Sequence, residues 1–312
     1  MSTTPEATAQ PVCSVEMRDG EACGRAIHPA PAGVDPKPVC LMHSRDPEKD
    51  KALFRQEIDA ILAGKTKYNR PKDTFDFTRF VFPEANFSDA RFTQKAYFSG
   101  ATFTQDADFS RATFTQDANF RGATFTQDAD FTHATFAQYA FFYATFTQDA
   151  DFTGATFTQD ADFIRATFSR DADFFGATFT ERGHFFLTSF RQVADFRAVT
   201  FEKPNRILFG RVNEEPPPGM TAPAGMKARF LHCLLDGVRF EDVHWHTPGG
   251  RLVLQDELDL EGESPPKHEL VADAYRHLVN NFEKARQYEL AEQCIVGEME
   301  MRIERAEKYA AE

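Results

Sequence analysis

Cys13, Cys23, Cys40 and His43 are the residues in this sequence whose types and spacing best suit chemistry. Cys40-Leu-Met-His43 has the two-residue spacing by which one tight turn presents two ligands to a tetrahedral ion. Three thiolates and an imidazole would close a structural zinc site, with His28 as the spare ligand. The competing reading is three buried or free cysteines and a surface histidine, since the gap from Cys13 to Cys23 is not that of a standard knuckle. Five cysteines, three of them within the first forty residues, suit a metal site in a reducing compartment better than a disulfide framework.

The second chemically suggestive set is acidic: Asp106, Asp108, Asp128, Asp130, Asp149, Asp151, Asp160 and Asp162. Paired catalytic carboxylates would be unique residues in a cleft, whereas these recur with a repeat that itself explains them. Neither a Gly-rich phosphate loop, a nucleophile elbow nor a His-Glu-x-x-His helix is present in the sequence, so no enzymatic activity is expected. His184, His244 and His246 are expected to face solvent, and Cys233 and Cys294 to serve packing.

The elements that position these residues follow from the phenylalanines. The chain has 312 residues, 34 of them Phe and one Trp, and such a bias points to a repeat with one position always filled alike. From Phe77 through Phe82, Phe87, Phe92, Phe98 and Phe103 to Phe201 the steps are five, or five and six alternately. Two residues before almost every Phe stands a small residue, such as Ala96, Ala101, Ala107 or Ala112. In an extended strand positions i−2 and i share one face, and the polar residues between them turn the chain about every five residues. On a helix, steps of five and six would spread Phe over every side. Coils stacked about 4.8 Å apart would then fill a solenoid's interior with Phe on Phe and Ala on Ala.

This unit resembles the pentapeptide-repeat family, in which small, polar, Leu/Phe, polar and turn residues recur. The resemblance covers roughly residues 76–201 and again 228–247, where Phe230, Leu235, Phe240 and Trp245 keep steps of five. It implies a mainly β fold, a right-handed quadrilateral β-helix, whose family coils hold about twenty residues. Here Asp106, Asp117, Asp128, Asp149, Asp160 and Asp171 add one residue to every second unit, so we expect them at corner bulges in coils of twenty-two. Around Tyr139-Ala-Phe-Phe-Tyr143 that extra residue is expected to be missing, leaving either Phe141 or Phe142 inward.

The expected organisation is a disordered tail at 1–11, a Cys/His zinc-binding motif and capping helix at 12–70, the β-helix at 75–247, an acidic linker at 248–266 and a helical hairpin at 267–312. A Pro-rich loop at 212–226 leaves the β-helix, since proline cannot join a ladder. Asp46 and Pro47 read as the N-cap and first residue of a helix ending near Gly64, with Leu53, Phe54, Ile58, Ile61 and Leu62 packing on the first coil. A short β-like stretch is expected at 251–254. The hairpin carries Leu270, Ala274, Leu278 and Phe282 on one helix and Ala291, Ile295, Met299 and Ile303 on the other. Its sequence resembles one tetratricopeptide-like unit, and also a segment that one pentapeptide-repeat subgroup with an N-terminal Cys/His motif carries ahead of membrane helices. It is expected either to cap the last coil or to pair with a second copy as a homodimer.

A formal charge of −13 and a pI of about 5.2 argue against direct binding of nucleic acid. No stretch is long and apolar enough to span a bilayer, and the N-terminus lacks a leader pattern, so a cytoplasmic chain is expected. The leading functional expectation is a scaffold for an unidentified protein partner. Some members of the family that this chain resembles are DNA mimics that protect DNA gyrase, and nine Asp against Arg111 and Arg121 between residues 106 and 162 give a net −7. That is roughly one charge per 1.8 Å of solenoid axis over about 12 Å, near the density of duplex DNA. Modulation of a type II topoisomerase by charge mimicry is therefore the alternative, and a soluble remnant of a membrane-associated relative is a third.

Overall fold

The computed structural model describes residues 11–68, 73–210, 225–260 and 267–311. The expected tail at 1–11 and Pro-rich loop at 212–226 fall almost wholly outside these residues. The body is a four-sided parallel β-solenoid of about six coils. Its first face stacks eight strands, from Thr74–Asp76 to Arg239–Glu241, and its third, opposite face stacks seven, from Ala85–Asn86 to Lys227–Arg229. The second and fourth faces stack six strands each, beginning with Val81–Phe82 and Arg91–Phe92.

Most strands are two residues long because the chain must turn before a third can join the ladder. Phe103 pairs with Phe125, and Ala107 with Ala129, so a coil takes twenty-two residues, as the spacing of the aspartates implies. Two kinds of corner alternate. Wide corners such as Thr104-Gln-Asp106 hold the additional residue. Tight corners such as Ser110-Arg111 turn through a left-handed residue, with Arg111 at φ 55° and Gly122, Gly154 and Gly176 in the same role. An Asp or Asn side chain closes the tight corner: Asp108 Oδ1 accepts from Ser110 N at 2.9 Å, and Asn119 Oδ1 from Arg121 N at 3.0 Å.

One coil is shorter, since Phe125 pairs with Phe146 twenty-one residues on. Phe142 is the inward residue, fully buried, and Phe141 points out. The expected location of the deletion is corrected: Tyr139 fills the wide-corner position that Asp117 and Asp160 hold in adjacent coils. The residue lost is one of the two at the tight corner, where Ala144 N donates to Phe142 O at 2.7 Å in a tighter turn. Because the corner absorbs the change, the Phe column runs on, with Phe142 5.0 Å from Phe120 and 4.9 Å from Phe163.

Four columns of near-parallel rings fill the interior. Phe103, Phe125, Phe146, Phe168 and Phe190 follow one another at 4.5 to 5.2 Å between centroids, with interplanar angles of 7° or less. Rings from the opposite first and third faces meet edge to face across the interior, as Phe109 and Phe120 do at 5.5 Å and 89°. Each buried Phe contributes about 1.5–3 kcal/mol through burial, and each ring pair about 0.5–1.5 kcal/mol more.

Helix α1, Lys51–Leu62, covers one end and buries Phe54, Ile58 and Ile61, whereas Leu53, expected to pack, is exposed. Its N-cap is Asp50, which accepts from Leu53 N, and not Asp46, whose carboxylate instead closes a preceding turn by accepting from Glu48 N. At the other end residues 251–254 form no strand. Leu252, Val253 and Leu254 lie buried and lead into a short helix α2, Gln255–Leu258, so the first part of the expected acidic linker is a packed plug. Helix α3, His268–Lys284, then lays Phe282 against Phe240 and Trp245.

Helix α4, Tyr288–Ala311, packs along α3. Its buried side is Ala291, Cys294 and Met301, while Ile295, Met299 and Ile303 are exposed. Steps of four advance 400° around a helix of 3.6 residues per turn, so that row drifts off the contact line by about 40° each step. Gly297 sets the line instead, since a Cβ there would come within 2.7 Å of the Tyr275 ring.

Candidate metal centre and the capped ends

Residues 12–26 form an antiparallel hairpin: Cys13 N donates to Arg25 O at 2.8 Å and Gly24 N to Cys13 O at 2.9 Å. It sets Cys13 and Cys23 side by side. Cys40 and His43 come from one turn, in which His43 N and Ser44 N both donate to Cys40 O. The structure thus brings all four sequence-selected residues together, each buried, with their ligand atoms within 4.8 Å of one another. Sγ of Cys23 and Cys40 are 3.8 Å apart, and His43 Nδ1 is 3.4 Å from Cys13 Sγ and 3.2 Å from Cys40 Sγ. A tetrahedral ion with bonds of about 2.3 Å to sulfur and 2.0–2.1 Å to nitrogen has edges of about 3.8 and 3.6 Å, so this donor set can bind a metal ion.

The surroundings orient the ligands. His43 Nε2 donates to the Thr78 carbonyl at 3.1 Å, which leaves the Nδ1 lone pair for the cluster. Arg25 donates to Cys23 Sγ at 3.3 Å and is itself held by Glu57 of α1 at 2.9 Å. The Cys23 thiol is driven down by hydrogen bonding to Cys13 and Cys40, with the Arg25 charge adding to the effect. Burial opposes charge on His43, but its contacts with the Cys13 and Cys23 sulfurs outweigh this and raise it to about 9. His28, the spare ligand, instead faces Asp46 at 3.3 Å.

The cluster sits where the first coil has no neighbour above it. Along the first and third faces each coil's carbonyls accept from the coil before, as Ser99 O does from Arg79 N and Asp108 O from Phe87 N. In the first coil those carbonyls receive side chains instead: Thr78 O from His43, and Asn86 O from Arg55 at 2.7 Å. Val81 O accepts from Lys49 Nζ, and Val81 N donates to Met42 O at 2.8 Å. Lys49 also donates to Leu41 O and Ser44 O, and burial lowers it to about 7.

At the far end the open ladder offers N–H groups, and acidic or amide side chains take them. Asp256 accepts from Phe230 N at 2.6 Å and Leu231 N at 3.3 Å. Asn281 accepts from Gly237 N at 2.9 Å and donates to Leu235 O at 2.7 Å. Burial raises Asp256 to about 6 in spite of those two bonds. Sequence reasoning found none of Arg25, Lys49, Arg55, Asp256 and Asn281, because each acts through a contact distant in sequence.

The candidate acidic surface is redistributed. Asp106, Asp128 and Asp149 line one wide corner, and Asp108, Asp130 and Asp151 the third face beside it, joined by Asp171 and Asp173 in the next coil. Asp160 and Asp162 lie on the opposite first face, where Arg182 and Arg121 approach them at 3.1 and 3.9 Å. The third face therefore carries two carboxylates per coil over four coils, or roughly one per 2.4 Å of axis. Both rows also serve the backbone. The strand row closes tight corners, as Asp130 does for Thr132 N at 2.8 Å. In the corner row, Asp128 accepts from Asp149 N and Asp149 from Asp171 N, each at 3.2 Å. His244 is exposed as expected, but His184 and His246 are half-buried, and burial lowers His184. Cys233 and Cys294 are buried, and burial raises both thiols, Cys294 to about 12.

Residues 77–124, 87–135 and 141–186 match the family described as pentapeptide repeats (9 copies). Comparison with curated proteins gives no match, and comparison with solved structures gives none.

Proposed function

We propose that this chain, whose β-helix is a run of pentapeptide repeats, is a non-enzymatic scaffold that presents flat sheet faces to a protein partner in the cytoplasm. The observation that carries this reading is the filled interior: Phe columns occupy the inside of every coil, so chemical variety lies on the outer faces. The exposed row Ile295, Met299 and Ile303 on α4 supports contact with a partner, or a second copy, at the C-terminal end. No described helix is long and apolar enough to cross a membrane.

The metal we assign to Cys13, Cys23, Cys40 and His43 is zinc, because three thiolates and an imidazole at tetrahedral spacing suit it and leave no open position for catalysis. Its role is structural: it fixes the turn from which His43 reaches Thr78. Elemental analysis of the purified full chain should find one zinc per chain, and Cys23→Ser with Cys40→Ser should abolish it.

One observation favours a second reading, modulation of a type II topoisomerase such as gyrase by charge mimicry. The third face is a continuous acidic strip that carries two carboxylates in each of four successive coils. The test is a supercoiling assay at two salt concentrations with the wild-type chain and with Asp128, Asp130, Asp149 and Asp151 all changed to Asn. Asn retains an accepting oxygen, as Asn86 and Asn119 do at tight corners like those of Asp130 and Asp151, so the variant removes charge and keeps an acceptor at each position. Inhibition that fades with salt and vanishes in the variant supports mimicry; no effect at tens of micromolar protein eliminates it.

A further inference from the structure

The shortened coil departs from its neighbours on the first face as well as at its corner. Where the flanking coils carry Asp117 and Asp160 it carries Tyr139, and where they carry Asn119 and Asp162 it carries Phe141. Tyr143 follows, beside Arg121 and Ile164. Folding does not require these aromatics. Phe142 already fills the interior column, and Phe141 cannot close the tight corner as Asn119 and Asp162 do for Arg121 N and Ile164 N. Tyr139 and Tyr143 are each 44% exposed, the Tyr139 and Phe141 rings lie 6.3 Å apart at 19°, and the Arg121 guanidinium stands 4.4 Å from the Phe141 centroid. A coil that gives up its corner bond to show three aromatics and a stacked arginine has the make-up of an interface centre.

The charges around this patch say what covers it. Asp117, which Lys95 holds at 2.7 Å, and Asp160, which Arg182 holds at 3.1 Å, flank the aromatics on the wide-corner side, and Arg121 and Arg165 flank them on the tight-corner side. A two-fold axis running along the solenoid direction exchanges the two sides. It would bring Asp117 opposite Arg121 of a second copy, Asp160 opposite Arg165, and Tyr139 opposite Tyr143, with the two Phe141 rings at the axis. Like charges also approach: Asp162 meets its own counterpart, with Arg121 at 3.9 Å on each side, and Lys95 and Arg182 come near the facing arginines but remain paired with Asp117 and Asp160.

We propose that the first face around Phe141 is a self-association surface whose occupant is a second copy of this chain, docked face to face with the two solenoids pointing the same way. This is independent of the zinc assignment and of any binding at α4. The test is sedimentation equilibrium of the full chain from about 1 to 500 μM. The wild type should show a reversible monomer–dimer equilibrium. Tyr139→Asp with Phe141→Asn, which restores the residues used in the flanking coils, should weaken it at least about 10-fold, as loss of an aromatic interface centre does. Arg165→Asp should weaken it and Asp160→Lys in the same chain should restore it, while circular dichroism reports an intact β-helix. A monomer throughout the range overturns the proposal. So does a dimer unmoved by the Tyr139/Phe141 variant but lost in Met299→Lys, which would place the contact on α4.

Discussion

The two ends of the solenoid face mirror-image problems and solve them with different materials. The first coil exposes carbonyls beside the Val81 N–H, and the N-terminal unit answers with donors from His43, Lys49 and Arg55 and with the Met42 carbonyl. The last coil exposes N–H groups beside the Leu235 carbonyl, and the C-terminal unit answers with the Asp256 carboxylate and with both the oxygen and the nitrogen of the Asn281 amide. What holds those groups in place also differs. The C-terminal side chains stand on helices packed by Phe282, Tyr275, Leu278 and Val271. The N-terminal donors depend on about fifty residues of mostly irregular chain, and the apolar core of α1 is three residues. A unit that small needs a further constraint, which the Cys/His cluster can supply. The comparison teaches that a repeat can stack indefinitely, and that its ends are where unique side chains must be placed.

Breaking the Cys/His cluster should give the largest effect, and only at one end. Cys23→Ser with Cys40→Ser should abolish amide protection in α1 and at Val81 and leave the last coil protected, as hydrogen exchange would reveal. If the last coil opened equally, the two ends would not be separate units. In the body between them, Phe131→Ala should cost about 3–5 kcal/mol in denaturant unfolding, because its stacked neighbours Phe109 and Phe152 hold the cavity open.

At the C-terminal end the sign of a pH effect sharpens the comparison. Asp256 is raised from its ordinary 3.8 to about 6, so between those values the folded chain keeps a proton that the unfolded chain has lost. Its contribution is full below the lower value and is lost as pH rises through the upper one, by at most about 3 kcal/mol. Asp256→Asn should flatten that window in urea titrations at pH 4 and pH 6.5, and a slope unchanged by the substitution would refute the assignment. Smallest of all, Asp130→Asn should shift stability by no more than about 0.5 kcal/mol, since Asn still accepts from Thr132 N.

The body was legible in the sequence because its physics is local. Small and large residues at i−2 and i, a turn every five residues and a phase held over many coils leave one architecture. Cys13, Cys23, Cys40 and His43 were legible by chemical type, since few other arrangements use three thiols and an imidazole. Side-chain direction on helices was read less well. The row Ile295, Met299 and Ile303 looked buried by spacing, but Gly297 and Cys294 mark the true contact line. The tight-corner deletion was misplaced because Tyr139 does not resemble the Asp it replaces. Capping by Lys49, Arg55, Asp256 and Asn281 left no local trace, since a lysine or asparagine that meets an orphan carbonyl looks like any other. The acidic strip was miscounted for a related reason: along the chain opposite faces alternate, so charges adjacent in sequence belong to different surfaces.

The most direct test of this account is hydrogen exchange across the first and last coils of the full chain, with metal content measured in parallel, before and after treatment with a strong chelator. The account predicts one bound zinc, whose removal deprotects Val81, Thr102 and α1 while Phe230 and Gly237 stay protected. A chain that purifies without metal and shows a protected first coil, or that loses metal with no change at that end, would contradict it.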